Sequence, residues 1–369
     1  MDENIIKEDS VEENKILELE KRLSGDNNSD DELKDNITME NFFETGKEEY
    51  KKFDERAWNK GDGYKIPSYP IIENKLEGLE SGLYVVAGES NSGKSAFMLS
   101  IVKDICSYRP NKLYGIYYSL DDSKNEIIPR VIAMEQQIPI SVASKPQRYR
   151  NMIEQCDNDS IQLYQDQLDK REIGLQKLID ESDLFRLEDT ERIKNEKDLR
   201  EHAIRVQTFV KSIDPEMNII IAIDSVADIK LSYDTSSDKQ KYEDISLFVK
   251  DLAVDLDIVV FASAHLRKLN GNRRPALDDL KEVNTLVYES SVIWLVFNDV
   301  SKNKGGARIY WNDTQVDGNM GAIIELDWGK NKKSSYKGRT FLKFKPYYSL
   351  INECKEEENK RYEQTIYQN

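Results

Sequence analysis

The sequence predicts an α/β protein built on a mostly parallel central sheet. From about Tyr64 onward, short β-rich runs alternate with helical stretches, the pattern of strands joined by crossover helices. The runs before about Phe297 are continuously apolar instead of alternating, as strands buried on both faces must be. One of them, Leu83–Ala87, opens straight into a glycine-rich turn, "GESNSGKS" from Gly88 to Ser95, with a helical stretch behind it.

Residues 1–38 read as an acidic arm without stable structure. Residues 1–35 carry 13 Asp and Glu against 5 Lys and Arg, a net −8 that is half of the chain's −16. Residues 39–63 read as an amphipathic helix and a turn. Phe42, Phe43, Tyr50, Phe53 and Trp58 are its apolar members, and Gly61-Asp62-Gly63 ends it. The main domain is expected over residues 64–352. Its strands are placed at Leu83–Ala87, Tyr114–Ser119, Ile219–Ile223, Ile258–Ser263, Val292–Phe297, Ala322–Leu326 and Thr340–Lys345. The charged region from Lys145 to Pro215 reads as outer helices, and residues 353–369 as a frayed, charged tail.

Composition narrows the function classes. A chain of 369 residues with 38% hydrophobic residues can bury a sizeable core. No apolar run approaches the roughly 18 residues of a membrane span, and the start does not have the form of a signal peptide, so no membrane partner is expected. Three scattered cysteines form neither a metal spacing nor a disulfide framework, which suits a reducing cytoplasm. The negative balance argues against a surface that attracts nucleic acid everywhere, while a locally basic channel stays compatible with it.

The turn fits G-x-x-x-x-G-K-S in full. Glycines let the backbone curl until successive N–H groups point at phosphate oxygens, and the following helix adds its positive N-terminal end. Gly88, Glu89, Ser90, Asn91, Ser92, Gly93, Lys94, Ser95 and Ala96 are the expected ATP-binding residues. Lys94 would reach the β- and γ-phosphates, and Ser95 would ligate Mg²⁺. Such a site also needs a carboxylate at a strand end for the Mg²⁺ shell. Asp224, closing "IIIAIDS", meets that need, although many buried strands end in Asp. Asp121 and Asp122 in "YYSLDD" follow another strand, either beside the γ-phosphate or as a solvated pair capping the next helix.

Beyond single motifs, the chain resembles the RecA-type motor domain of DnaB-type hexameric replicative helicases. "GLYVVAGESNSGKSAFMLSIV", "YYSLDDSKNEIIPRVIA", "NIIIAIDSVADI", "EDISLFVKDLAVDLDIVVFASAHLRK", "RRPALDDLKE" and "IELDWGKNKKSSYKGRTFLKFKP" are similar to that family's segments, in the same order, over about residues 64–350. The resemblance implies a RecA-like fold, ATP and Mg²⁺, a ring of identical subunits with ATP sites between them, single-stranded DNA as partner, and a loader or primase as further partners. It implies that Asp121 takes the place of the catalytic glutamate and His265 that of the γ-phosphate sensor. Lys330 and Lys332 fall on a Lys-x-Arg pair that completes the neighbour's site, and residues 39–58 on a linker helix docking on the adjacent motor domain. On the residues alone, His265 also reads as a satisfied strand-end histidine, and the lysine pair as a basic hairpin turn.

Three positions depart from the family pattern. Asp121 is one methylene shorter than Glu. Lys332 brings a point charge where a planar fork is usual. "KEVN" at Lys281–Asn284 stands where an Arg-Glu-Ser-Gly type loop meets DNA. The stretch ahead of the motor is also expected to be too short for the family's globular N-terminal domain. Arg273, Arg274 and Lys281 are the principal strand-contact candidates, with Arg267, Lys268, Lys302 and Lys304 behind them. Two functions fit: a ring-forming, ATP-driven helicase or translocase acting in DNA replication, or a regulatory or loader ATPase that switches a protein assembly without unwinding DNA.

Overall fold

The computed structural model describes residues 39–59, 61–155, 158–269, 271–280 and 284–367. The expected acidic arm and Lys281 lie outside these residues. The chain divides into two units, one ending at Gly61 and the other beginning at Asp62. In the first, a helix spans Met39–Asn59, and its Tyr50, Phe53 and Trp58 are exposed.

The second unit holds one sheet of ten strands among the described residues. They are β1 (Gly82–Gly88), β2 (Leu113–Ser119), β3 (Phe185–Asp189), β4 (Asn218–Asp224), β5 (Val259–His265), β6 (Val292–Asn298), β7 (Tyr310–Asn312), β8 (Met320–Asn331), β9 (Arg339–Lys345) and β10 (Leu350–Glu353). Their order is β10-β9-β8-β6-β1-β5-β4-β2-β3, with β7 paired to β8. From β6 to β3 all pairings are parallel, and from β6 through β8 and β9 to β10 they are antiparallel.

The continuous apolar runs are explained by burial on both faces. In β1, Tyr84 and Val86 enter one core and Leu83, Val85 and Ala87 enter the other, so every position is apolar. The first core is organised on the fully buried Trp294. Phe261 stacks on it at 6.1 Å, and Phe97 and Trp328 meet it edge-on at 5.8 and 5.4 Å. Local signals set the helix starts. Ser123 and Glu126 form a capping box ahead of Lys124–Gln136, and the Asn195 side chain accepts from the first N–H groups of Glu196–Ile213.

Two expectations need correction. Residues 145–215 are not helices alone: between Asn158–Asp180 and Glu196–Ile213 they contain β3, the edge strand beside β2. Its sequence, "FRLED", has no apolar run because its buried carboxylates are held by partners from outside the strand as well as within it. Glu188 is buried against Arg186 and Arg192, and Asp189 accepts from the Lys124 backbone N–H. The tail is not frayed either. Glu356–Tyr367 is helical and buries Tyr362 on Phe341, with Ile309, Ile323 and Cys354 around them. One aromatic in a charged helix is a weak periodic signal, which only the groove beside β9 makes effective.

The register brings the ends of the parallel strands to one edge. Gly88 lies opposite His265 and Val296, and Ser119 lies opposite Asp224 and Asp189. Ligands of open α/β sheets bind outside this carboxyl edge.

Candidate active site

β1 delivers the chain into the phosphate loop at Gly88, and the helix Lys94–Ser107 takes it out. Both glycines are sterically required. Gly93 has φ 101°, and a Cβ there would fall 2.5 Å from Ile324 Cδ1. A Cβ on Gly88 would fall 2.5 Å from Ser92 Oγ and 3.1 Å from Val296 Cβ. Asn91 also has a left-handed backbone, at φ 60°. Lys94 is buried, and its ammonium donates to the carbonyls of Gly88 at 2.9 Å and Glu89 at 3.0 Å. Ser92 Oγ is buried with no hydrogen-bond partner. A cavity of about 430 Å³, lined by Glu89–Ser92, His265 and Lys302 among others, opens beside the loop. The glycine-shaped turn, the unpartnered Ser92 hydroxyl and the buried Lys94 ammonium of the loop fit a polyphosphate.

Asp224 ends β4 and is buried. Its carboxylate accepts from Tyr117 Oη at 2.7 Å and from Ser263 Oγ, so the two flanking strands hold it from both sides. Neither holder is visible in the sequence. Each belongs to an apolar run, and only the register of β2 and β5 against β4 reveals its task. Ser95 is half-buried at the start of its helix. Two hard oxygen donors of this kind, with phosphate and water completing the shell, fit Mg²⁺, which rarely has an all-protein cage. No group of three or more His, Cys, Asp or Glu suited to a metal exists among the described residues.

Asp121 is not the cap of the following helix. Ser123 caps it, while Asp122 pairs with Arg130 at 2.9 Å. Asp121 is exposed, yet its carboxyl is pushed up by partial desolvation and then by the charges of Asp228, Asp122 and Asp224, with His265 opposing. His265 ends β5, with Nε2 3.5 Å from Ser225 Oγ. Burial, and then the Lys94 ammonium, hold its imidazole below the usual range against the pull of Asp228, Asp224 and Asp121. The ring is therefore neutral at neutral pH and keeps one donor and one acceptor. Lys94, Asp121, Asp224 and His265 form one electrostatically coupled group at the carboxyl edge.

Lys330 and Lys332 are elsewhere. β8 runs antiparallel to β6, and Asn331 pairs with Val292 at the start of β6, whereas Gly88 lies beside Val296 near its end. The lysine pair thus lies at the sheet edge opposite its own phosphate loop. Lys330 Nζ donates to the carbonyls of Val287 and Tyr288, and Lys332 Nζ to that of Tyr288 at 3.0 Å, in the last turn of the helix Asn284–Glu289. Burial and the adjacent Lys332 push Lys330 down to about 8.

Residues 67–349 match the family model described as the DnaB-like helicase C-terminal domain. The chain belongs to this family. It is 27% identical over 288 residues to a "Probable replicative DNA helicase" of Trieres chinensis, covering 75% of this chain and 54% of that protein. It is 24% identical over 241 residues to "Replicative DNA helicase DnaB" of Mycoplasma pneumoniae, covering 63% of this chain and 46% of that protein. The chain therefore spans about half the length of these curated relatives. Among solved structures, one described as an ATPase domain superposes with a TM-score of 0.64 at 19% identity, covering 87% of this chain and 100% of that one. A DnaB-like replicative helicase, solved with attention to its interactions with primase, also gives 0.64, at 18% identity over 83% of this chain and 67% of that one. These likenesses establish a RecA-like fold.

Within this DnaB-like domain the basic candidates differ sharply. Arg273 is half exposed and makes a two-pronged pair with Asp279 at 2.5 and 2.6 Å. Arg274 is drawn inward, against the expectation of a strand contact. Its guanidinium bridges both oxygens of Glu325, 1% exposed, at 2.6 and 2.8 Å, and lies 5.3 Å over the Phe297 ring. β8 aims Glu325 into the interior, and a buried carboxylate needs a cation. Lys302 is likewise engaged, by Glu89. Arg267, Lys268 and Lys304 are exposed. Arg274→Ala is therefore expected to destabilise the fold by about 3 kcal/mol, the usual cost of orphaning a buried charge. A urea midpoint equal to the parent's would refute this structural role.

Proposed function

We propose that this DnaB-like chain is an ATP-driven translocase that forms a ring on single-stranded DNA and separates duplex strands during replication. The observation that carries the proposal is a division of labour across the sheet: phosphate loop, carboxylates and histidine on one edge, the lysine pair on the other. A chain arranged in this way supplies both halves of a composite site without being able to join them itself, and head-to-tail association of identical chains closes every interface. A homohexamer of cytosolic chains, with a loader or primase as further partners, is the assembly this implies.

Lys94 would leave the Gly88 and Glu89 carbonyls for the terminal phosphates. Ser95 and Asp224 would hold Mg²⁺, which when bound would supply charge neutralisation to the phosphates. Tyr117 and Ser263 keep the Asp224 carboxylate aimed. Asp121, with its proton affinity raised by desolvation and neighbouring carboxylates, is suited to orient and deprotonate the attacking water. Neutral His265 would bond a γ-phosphate oxygen and lose that bond on hydrolysis. It is joined through Leu266–Leu269 to the Arg273 segment, so this loss can reach a strand-contact region.

The test is ATP turnover with and without oligo-dT, alongside displacement from a forked duplex. Stimulation by oligo-dT that weakens steeply with salt is expected, as phosphate contacts require. Arg273→Ala/Lys281→Ala should lose the stimulation and keep basal turnover, with thermal unfolding of the same protein checking that release of Asp279 leaves the fold intact. A parent that binds no oligo-dT at low salt and is not stimulated by it would overturn the translocase in favour of a switch ATPase.

A further inference from the structure

We infer that Lys302 is a positioning residue for the nucleotide, which cancels a negative charge that the phosphate loop itself carries at Glu89. This rests on reading "GESNSGKS" as the ATP phosphate loop. The second residue of that loop is acidic, and an incoming triphosphate would meet it as like charge. The structure gives this carboxylate dedicated partners. Lys302 Nζ donates to Glu89 Oε2 at 2.7 Å and Oε1 at 2.9 Å, and the Leu269 N–H donates to Oε1 at 3.2 Å. Lys302 Nζ also donates to the Leu269 carbonyl at 3.4 Å. The clamp therefore joins three places: the loop after β1, the segment after His265, and the short helix Asp299–Asn303 after β6.

Glu89 works in two directions. Its side chain turns to Lys302, while its backbone carbonyl accepts from Lys94. The pair is about three-quarters buried, with side-chain exposures of 22% and 25%, and lines the same cavity as Ser90, Asn91 and His265. Charges in such a wall act on a bound anion more strongly than surface charges do.

A brace and a charge balance differ in sign. If the pair only braced the loop, loss of either partner would weaken nucleotide binding. If it balances charge, the two losses act oppositely. Lys302→Ala leaves Glu89 to repel the triphosphate, whereas Glu89→Gln frees the Lys302 ammonium to attract it.

The experiment measures KM and kcat for Mg·ATP, together with direct binding of a fluorescent ATP analogue, at low and high salt. Lys302→Ala is expected to raise KM about tenfold with kcat within about threefold, and Glu89→Gln to lower KM about threefold. Glu89→Gln/Lys302→Ala should return to within about twofold of the parent, because the two effects are coupled. Lys302→Arg should restore binding, and all shifts should shrink as salt rises. KM raised by both single changes, or a double variant as weak as Lys302→Ala, would overturn the charge-balancing role. Lys94→Ala separates the clamp from the reading it rests on. Parental turnover in Lys94→Ala would remove the phosphate-loop reading itself. Lost turnover there, with KM unchanged in Lys302→Ala, would remove only the clamp.

Discussion

Lys94→Ala is expected to lower ATP turnover by about a thousandfold, the scale on which removal of one preorganised charge-stabilising donor acts. The lysine is buried at the base of the loop, and its ammonium rests on two main-chain carbonyls, at 2.9 and 3.0 Å. Transfer to phosphate oxygens exchanges these acceptors for charged ones, which bond an ammonium more strongly. The change should strike turnover while leaving the fold intact, since water can satisfy both carbonyls. Steady-state hydrolysis and thermal unfolding on the same purified protein check both halves. Parental turnover would show that the loop does not bind the reacting phosphates. Lost turnover with an equally collapsed melting temperature would show that Lys94 serves the fold instead.

Lys332→Ala and Asp121→Ala should each reduce turnover by about a hundredfold or more in homogeneous assemblies, as loss of a trans-acting cation does in phosphoryl-transfer sites. Mixing the two variants should recover activity. An interface is intact where a Lys332→Ala chain, with its Asp121, meets the Lys332 of an Asp121→Ala chain, and random head-to-tail mixing makes about a quarter of interfaces so. The geometry requires this result if the lysine pair acts at all, because its sheet edge is opposite its own phosphate loop. In the single chain the Lys330 ammonium rests on the carbonyls of Val287 and Tyr288 and that of Lys332 on Tyr288, so they need only change partners. Mixed assemblies of verified composition that stay inactive would remove Lys332 from the site.

The phosphate cradle was legible because it is local. A strand, the glycines at 88 and 93 and a helix start lie within one short segment, and the backbone at Gly93 shows why no other residue serves. Asp224 was recognisable because it closes an apolar run, whereas His265 stood out only through the family resemblance; the register brings both to the edge where the parallel strands end. β3 was hidden because two of its three buried positions, Glu188 and Asp189, are charged, and its place depends on cations such as Lys124 from other segments.

By itself, the sequence determined the α/β class, the parallel block and the glycine-rich loop between a strand and a helix, because periodicity and turn chemistry act over a few residues. Only the tertiary structure decided which charges are free to act. Arg274 reads as a strand contact until Glu325, 51 residues away, is found buried against it. Lys302 reads as a surface lysine until Glu89, 213 residues away, takes its charge. A charge's role is set by what desolvates and neutralises it, and those partners come from strand order and register, which no short stretch of sequence encodes.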